Sequence, residues 1–258
     1  MKHPPSAFRI DLSLEIVSGF HVTGAGEPMA LVDRTQLAYA ASTPDWLGPL
    51  GAGVGATGGG EAGDSAGGDD GGGRAGGRSR RVPVIPGSSL RGVTRMTLER
   101  LARTAGIAVC ESPQPDRMCP RFSQASQDAA TQAGEPFCLA CRIFGSPWRE
   151  STVYFSNLMA HDAGVATRTS VAISRRLGTA EPGRLYTTEV TISAPQDRVY
   201  LRGHVEGYLS EPDLQWLVGA LRALTHLGAD RSRGLGSIVD GSVRLEVRRF
   251  RDGKWAPV

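Results

Sequence analysis

The sequence predicts an α+β fold, with its elements in the order strand, helix, strand, strand, helix, strand. Three observations predict it. From Phe8 to Val17 apolar and polar side chains alternate strictly: Phe8, Ile10, Leu12, Leu14 and Ile16 against Arg9, Asp11, Ser13 and Glu15. That is the period of a half-buried strand. Two later stretches space their leucines at helical intervals. Alternation then returns at Val243, Leu245 and Val247, with Arg244, Glu246 and Arg248 between them.

In chain order, the first strand runs into a turn-rich piece from Ser18 to Gly26, and Asp33 follows between Val32 and Arg34. Residues 48–78 are dominated by Gly, Ala, Asp and Ser. Such a stretch buries too little apolar surface to offset its ordering entropy, so it reads as a disordered Gly-rich insertion within a domain. Strand-like sequence resumes at Val82, Val84 and Ile85, and Pro86-Gly87 ends it. A helix follows, with Ser88 or Ser89 as its expected N-cap and Leu90, Val93, Thr97 and Leu101 as its buried face.

All four cysteines fall between residues 110 and 141. Val153 and Phe155 suggest a strand, and Arg168 to Gly183 reads as a polar excursion. Residues 185–193 and 198–207 read as two more strands, joined by a hairpin around Pro195-Gln196-Asp197. Ser210-Glu211-Pro212-Asp213 opens the second helix with a serine cap, an early proline and an acid three residues after the cap. Leu214, Leu217, Val218, Leu221 and Leu224 continue it, and Gly228 is its expected stop.

This order is the split βαβ, ferredoxin-like (RRM-like) βαββαβ order. Sheets of this kind often bind single-stranded RNA on their open face. With aromatics at 6% of the chain, recognition of the nucleic-acid backbone by arginines and main-chain groups fits better than base stacking.

Length and charge narrow the classes. At 258 residues the chain is long enough for a large core, and its net charge of +3 hides a basic run at residues 80–103. The N-terminus lacks the continuous apolar run of a signal peptide, and no stretch is apolar enough to span a bilayer. The expectation is a cytoplasmic protein with no membrane partner.

Three clusters carry chemistry. The helix start at Ser88 and Ser89, with Arg91 and Arg95 one turn apart, combines free N–H groups, hydroxyls and guanidiniums that attract phosphate. The bland alternative is a capped helix with a solvated basic face. The loop His226 to Gly236 places Arg231, Ser232 and Arg233 among three glycines, an arrangement that can form an anion nest or a plain connecting loop. Cys110, Cys119 and the C-x-x-C pair Cys138 and Cys141 point to a structural zinc with a closed tetrahedral site. A histidine such as His161 could replace one cysteine, and free thiols beside a redox-active pair are the alternative.

Taken together, these pieces resemble the RAMP (repeat-associated mysterious protein) superfamily, and within it the RNA-binding backbone subunit of type III CRISPR–Cas effector complexes. The resemblance is carried by Ser18-Gly19-Phe20-His21-Val22, Pro86-Gly87-Ser88-Ser89-Leu90-Arg91-Gly92 with Arg95, and Cys138-Leu139-Ala140-Cys141-Arg142-Ile143-Phe144-Gly145-Ser146. It continues through Val171-Ala172-Ile173-Ser174-Arg175-Arg176-Leu177-Gly178-Thr179-Ala180, Gly183-Arg184-Leu185-Tyr186 and the terminal glycine loop.

The resemblance implies a single domain over residues 1–258. Its insertions would lie at 48–79 (the Gly-rich loop), 106–148 (a zinc-binding segment) and 163–184 (a thumb hairpin). It implies a filament of such subunits, with other effector-complex subunits, on a CRISPR RNA that pairs with target RNA. His21, Ser88, Ser89, Arg91, Arg95, Arg175, Arg176, Arg231, Ser232 and Arg233 would contact RNA. Asp33 would cut the target by 2′-hydroxyl attack, with Mg2+ or another divalent cation, and Asp11 and Asp45 are weaker alternatives. A non-catalytic assembly subunit and a CRISPR RNA-processing endonuclease using His21 are the competing functions. Position 174 is Ser where many relatives have Asp.

Overall fold

Strict alternation makes one strand the spine of the molecule. In the computed structural model, β1 (Ser6–Val17) turns Phe8, Ile10, Leu12, Leu14 and Ile16 into the core, each no more than 2% exposed. Burial of this kind contributes about 1.5–3 kcal/mol per side chain. The structure describes residues 5–17, 19–23, 36–40, 81–121, 136–192, 198–251 and 253–258. The chain divides into two units, residues 1–39 with 82–258, and residues 40–81; of the second only the two end residues are described. The expected Gly-rich insertion at 48–79, Asp33 and Asp45 therefore lie outside the described residues.

The fold is mixed α+β, with a mostly antiparallel sheet and few helices. The remaining strands are β2 (Ala38–Ala40), β3 (Arg81–Ile85), β4 (Val153–Phe155), β5 (Leu158–Met159), β6 (Gly164–Ile173), β7 (Ala180–Ile192), β8 (Arg198–Leu209), β9 (Ser237–Ile238), β10 (Arg244–Arg251) and β11 (Lys254–Pro257). The main sheet runs β11-β10-β1-β8-β5-β3-β2, with β4 also on β8 and β9 also on β1. β1 pairs antiparallel with β8 from Ser6↔Leu209 to Val17↔Arg198, and with β10 on its other side from Phe8↔Arg249 to Ser13↔Arg244.

The helices are α1 (Gly87–Thr104), α2 (Leu139–Phe144) and α3 (Glu211–Arg222). Helix α1 begins two residues earlier than a Ser88 cap would place it, and three earlier than a Ser89 cap. Pro86 holds the N-cap position without a side-chain cap bond, and Asn157 Oδ1 accepts from Gly87 N–H at 2.9 Å. Its buried face is Leu90, Thr94, Leu98 and Ala102, rotated from the expected one; Val93 and Leu101 are only partly buried. The helix ends in a Schellman turn, with Gly106 N–H on Arg103 O and Ile107 N–H on Ala102 O.

Helix α3 starts as expected, Ser210 Oγ accepting from Asp213 N–H at 3.4 Å. It ends at Arg222, before the expected stop at Gly228. Among the described residues no helix is long and apolar enough to cross a membrane.

The main departure concerns residues 185–193. They do not begin a hairpin with 198–207. Residues 185–192 form the second arm of a separate two-stranded ribbon in which β6 pairs with β7 from Gly164↔Ile192 to Ile173↔Ala180. The polar excursion at 168–183 is the outer part of this ribbon. The region 195–197 lies outside the described residues. Local alternation could not reveal the partner, because either arm of β7 satisfies the same period.

Candidate nucleic-acid interface and metal centre

The ribbon is rooted in a node built from three distant segments. Phe20 N–H and O exchange hydrogen bonds with Thr191 O and N–H at 3.2 and 2.8 Å. Gly236 N–H donates to Gly19 O, Leu227 N–H to Gly236 O, and Ala229 N–H to His21 O, each at 2.8 Å. Such close backbone approach leaves no room for side chains. Gly19 (φ +70) and Gly236 (φ +73) sit in the left-handed region, where a Cβ would collide with the Thr191 and Leu227 carbonyl oxygens respectively. Gly236→Ala is expected to lose about 2–3 kcal/mol from backbone strain and displacement of the loop, read as a shift in the denaturant midpoint. An unchanged midpoint would mean that the loop is not locked to the node.

His21, expected to contact RNA, is fully buried in this node. Its Nδ1 lies 2.7 Å from Glu189 O and its Nε2 3.1 Å from Thr23 Oγ1. Both ring nitrogens are therefore engaged inside the protein, and the histidine ties β7 to the segment after β1. Gln36 completes the node: its side chain accepts from Val22 N–H, and its backbone N–H donates to the buried Glu189 carboxylate at 2.7 Å. Sequence reasoning missed Gln36 and Glu189, since a polar residue in a loop and one in a strand carry no local sign of meeting.

On the outside of the node stands the arginine pair of the glycine loop. Residues Arg231–Arg233 form a single 3-10 turn, with all three side chains exposed. The turn is entered through Asp230 at φ 54, the only non-glycine residue with positive φ among the described residues. Strain of this kind gathers at functional loops. The Arg233 guanidinium lies 5.7 Å from the centre of the Tyr186 ring on β7, a cation–π contact between loop and ribbon. Tyr186 had appeared in the sequence only as part of a motif.

Arg175 and Arg176 occupy the tip, where Gly178 N–H donates to Ser174 O and Ser174 N–H to Thr179 O. The tip end of β7 at Ala180 stands roughly 20 Å along the strand from Tyr186, where Arg233 rests, at about 3.3 Å per residue. The structure therefore does not bring tip and root arginines into one cluster. Ile173, Leu177 and Leu185 are all more than 60% exposed near the tip, so the outer ribbon presents an apolar surface that nothing in this chain covers among the described residues.

At the start of α1, Ser88 is exposed and Ser89 half-buried. Leu37 O, next to Gln36, accepts from Val84 N–H at 3.1 Å, which links the ribbon node to the strand that leads into α1. Arg91 and Arg95 are drawn toward α2. Arg91 donates to Phe144 O, and burial lowers its pKa from the ordinary value. Arg95 donates to Gly145 O and to Glu99 Oε1, both at 2.9 Å, and its side chain is 14% exposed. Burial alone would lower its pKa, but the Glu99 hydrogen bond and the neighbouring thiols outweigh this and hold it above the ordinary value. Asp11, the mid-strand alternative to Asp33, is engaged by Arg9 at 3.1 Å and by Arg248 on the sheet face.

Beyond the helix, the four cysteines converge. Cys110, Cys119, Cys138 and Cys141 are all buried, with their sulfurs within 4.8 Å of one another. Cys110 Sγ lies 3.3 Å from Cys141 Sγ and 3.7 Å from Cys138 Sγ. Zinc–sulfur bonds of about 2.3 Å in a tetrahedron place the sulfurs about 3.8 Å apart, so the donor set fits a metal such as zinc. The set needs no histidine, and His161 is not part of it. Hydrogen bonds shared among the four thiols hold Cys138 below the ordinary thiol range and push Cys119 and Cys141 above it. The four cysteines belong to the same apolar core as β1, α1 and α3. The two ends of the segment are pinned separately: Arg103 Nη2 donates to Cys110 O at 3.2 Å, and Arg142 forms a two-bond pair with the buried Asp213 of α3.

A comparison with curated proteins finds no match for the chain. The family model of the RAMP superfamily matches residues 46–239, three quarters of the chain, from ahead of β3 through the cysteine segment, the ribbon and both long helices to the glycine loop. The chain belongs to the RAMP superfamily, and with it to the CRISPR-associated RNA-binding proteins.

Proposed function

We propose that this protein is a guide-RNA-binding backbone subunit of a type III-like CRISPR–Cas effector complex. It would act in the cytoplasm as a single domain on a ferredoxin-like core, assembling with further copies or related subunits along the CRISPR RNA. The single observation that carries the reading is the root of the ribbon: exposed Arg231, Ser232 and Arg233 stand beside Tyr186 on a loop locked by backbone bonds. A rigid loop offering guanidiniums and main-chain N–H groups suits a sugar-phosphate chain, which asks for charge and position rather than base identity. The strand order β10-β1-β8 followed by β4 and β5, with α1 and α3 as crossovers, supports the ferredoxin-like reading.

In this reading the ribbon is the thumb. Its exposed apolar tip, with Arg175 and Arg176, inserts into the guide–target duplex and turns out a nucleotide. Ser88 and Ser89 at the start of α1 add phosphate contacts, with Arg91 supporting that turn. Asp33 acts on the target strand beside the displaced nucleotide, where the 2′-oxygen aligns with the leaving oxygen. It takes the hydroxyl proton or holds the divalent cation, and the products are a cyclic phosphate and a 5′-hydroxyl. The processing-endonuclease reading loses ground, because its histidine is sealed inside the node.

Arg231→Glu combined with Arg233→Glu tests the interface. Guide affinity should fall at least about tenfold at moderate salt, and the slope of log affinity against log salt should drop by roughly two phosphate contacts. Equal affinity and slope in the parent and the double variant would remove the glycine loop from the RNA path.

A further inference from the structure

Arg95 has an unusual set of partners for a helix arginine. One turn of α1 points it away from solvent, and its guanidinium spends its donors on three acceptors that differ in kind. Nε meets Glu99 Oε1 at 2.9 Å, Nη1 meets Gly145 O at 2.9 Å, and Nη2 lies 3.7 Å from Cys141 Sγ. Arg91, one turn earlier, reaches the same end of α2 but stops at Phe144 O. The four-cysteine centre faces a charge problem that Arg95 is placed to relieve. Four thiolates around a divalent ion carry a net charge of −2 in a site whose ligands are all buried, and a buried charge without a partner is strongly disfavoured. From the backbone, Cys138 N–H donates to Cys119 Sγ at 3.3 Å.

We propose that Arg95 is the outer-sphere partner of the metal centre. Its guanidinium donates to the Cys141 thiolate, offsets part of the thiolate charge and slows loss of the metal. Glu99 holds the guanidinium in plane from its other side, so that the i, i+4 pair acts as a single support. The direction of the chemistry follows. A hydrogen bond on a thiolate withdraws electron density from the sulfur and lowers its tendency to be protonated off the metal, and outer-sphere partners of this sort typically change metal affinity by about 10- to 100-fold. The assignment is independent of RNA binding and gives this residue a task other than the phosphate contact suggested by its spacing from Arg91.

The test uses the full chain loaded with zinc, challenged with an excess of a chromophoric chelator. Arg95→Met should release zinc about 10- to 100-fold faster than the parent, and Arg95→Lys should fall between the two. Arg91→Met, which removes a carbonyl contact to the same turn without touching sulfur, should release zinc near the parental rate. Cobalt substitution adds a readout that packing alone would not move. The sulfur-to-cobalt charge-transfer band should shift to longer wavelength in Arg95→Met and Arg95→Lys, and stay in place in Arg91→Met. Should Arg95→Met fail to fold, the band position in Arg95→Lys decides. Parental release and an unmoved band, equal acceleration in Arg91→Met, or a chain that takes up neither metal would each overturn the proposal.

Discussion

Cys138→Ser is expected to cost more than about 4 kcal/mol of stability, the range reserved for loss of a metal or a buried network. For a domain of this size that lowers the thermal midpoint by roughly 8–16 °C. The reason lies in where the cysteines sit. Val109, Cys110, Met118, Cys119 and residues 138–144 are packed in the same apolar cluster as the inner face of β1. Loss of a metal held by this set would therefore loosen the main core rather than a surface appendage. It also leaves Arg95 facing uncompensated thiols and frees the end of α2, which Arg91 and Arg95 hold. Chelation of the parent protein should produce the same drop, and chelator should do nothing further to Cys138→Ser. A parental midpoint after complete chelation would mean that the four thiols pack well without a metal.

Asp33→Ala is expected to reduce target-RNA cleavage by about 10²- to 10⁴-fold, the usual contribution of a positioned proton acceptor. Guide affinity should stay within about twofold, because phosphate binding is assigned to other residues. The measurement is single-turnover cutting of a labelled complementary RNA by the assembled complex, with the product ends identified. Asp33→Cys separates the two roles of the acid. If the side chain holds the cation, cutting returns with a thiophilic ion such as Mn2+ and not with Mg2+. If it only accepts a proton, the choice of ion makes no difference. Parental cutting by Asp33→Ala would overturn the assignment of this acid.

The sequence by itself determined the elements whose signal is local. β1 is legible because one face must be apolar at every second residue. The start of α3 is legible because a serine, a proline and an acid meet the needs of a helix N-terminus without outside help. The cysteine set was legible because so few residue types bind zinc, and four in one segment leave few other uses. Tertiary structure alone decided what depends on partners far along the chain. The second arm of the ribbon, His21 as an internal tie, and Arg95 as a neighbour of sulfur all follow from which segment folds back, Gly164 against Ile192 in the ribbon and partners 168 and 46 residues away for His21 and Arg95. Strand alternation, helix spacing and charge state what a side chain prefers, but they do not name the segment that folds back to meet it. A histidine after a strand and an arginine on a helix are equally at home against water, a ligand or a carbonyl, and only the packed chain selects among them.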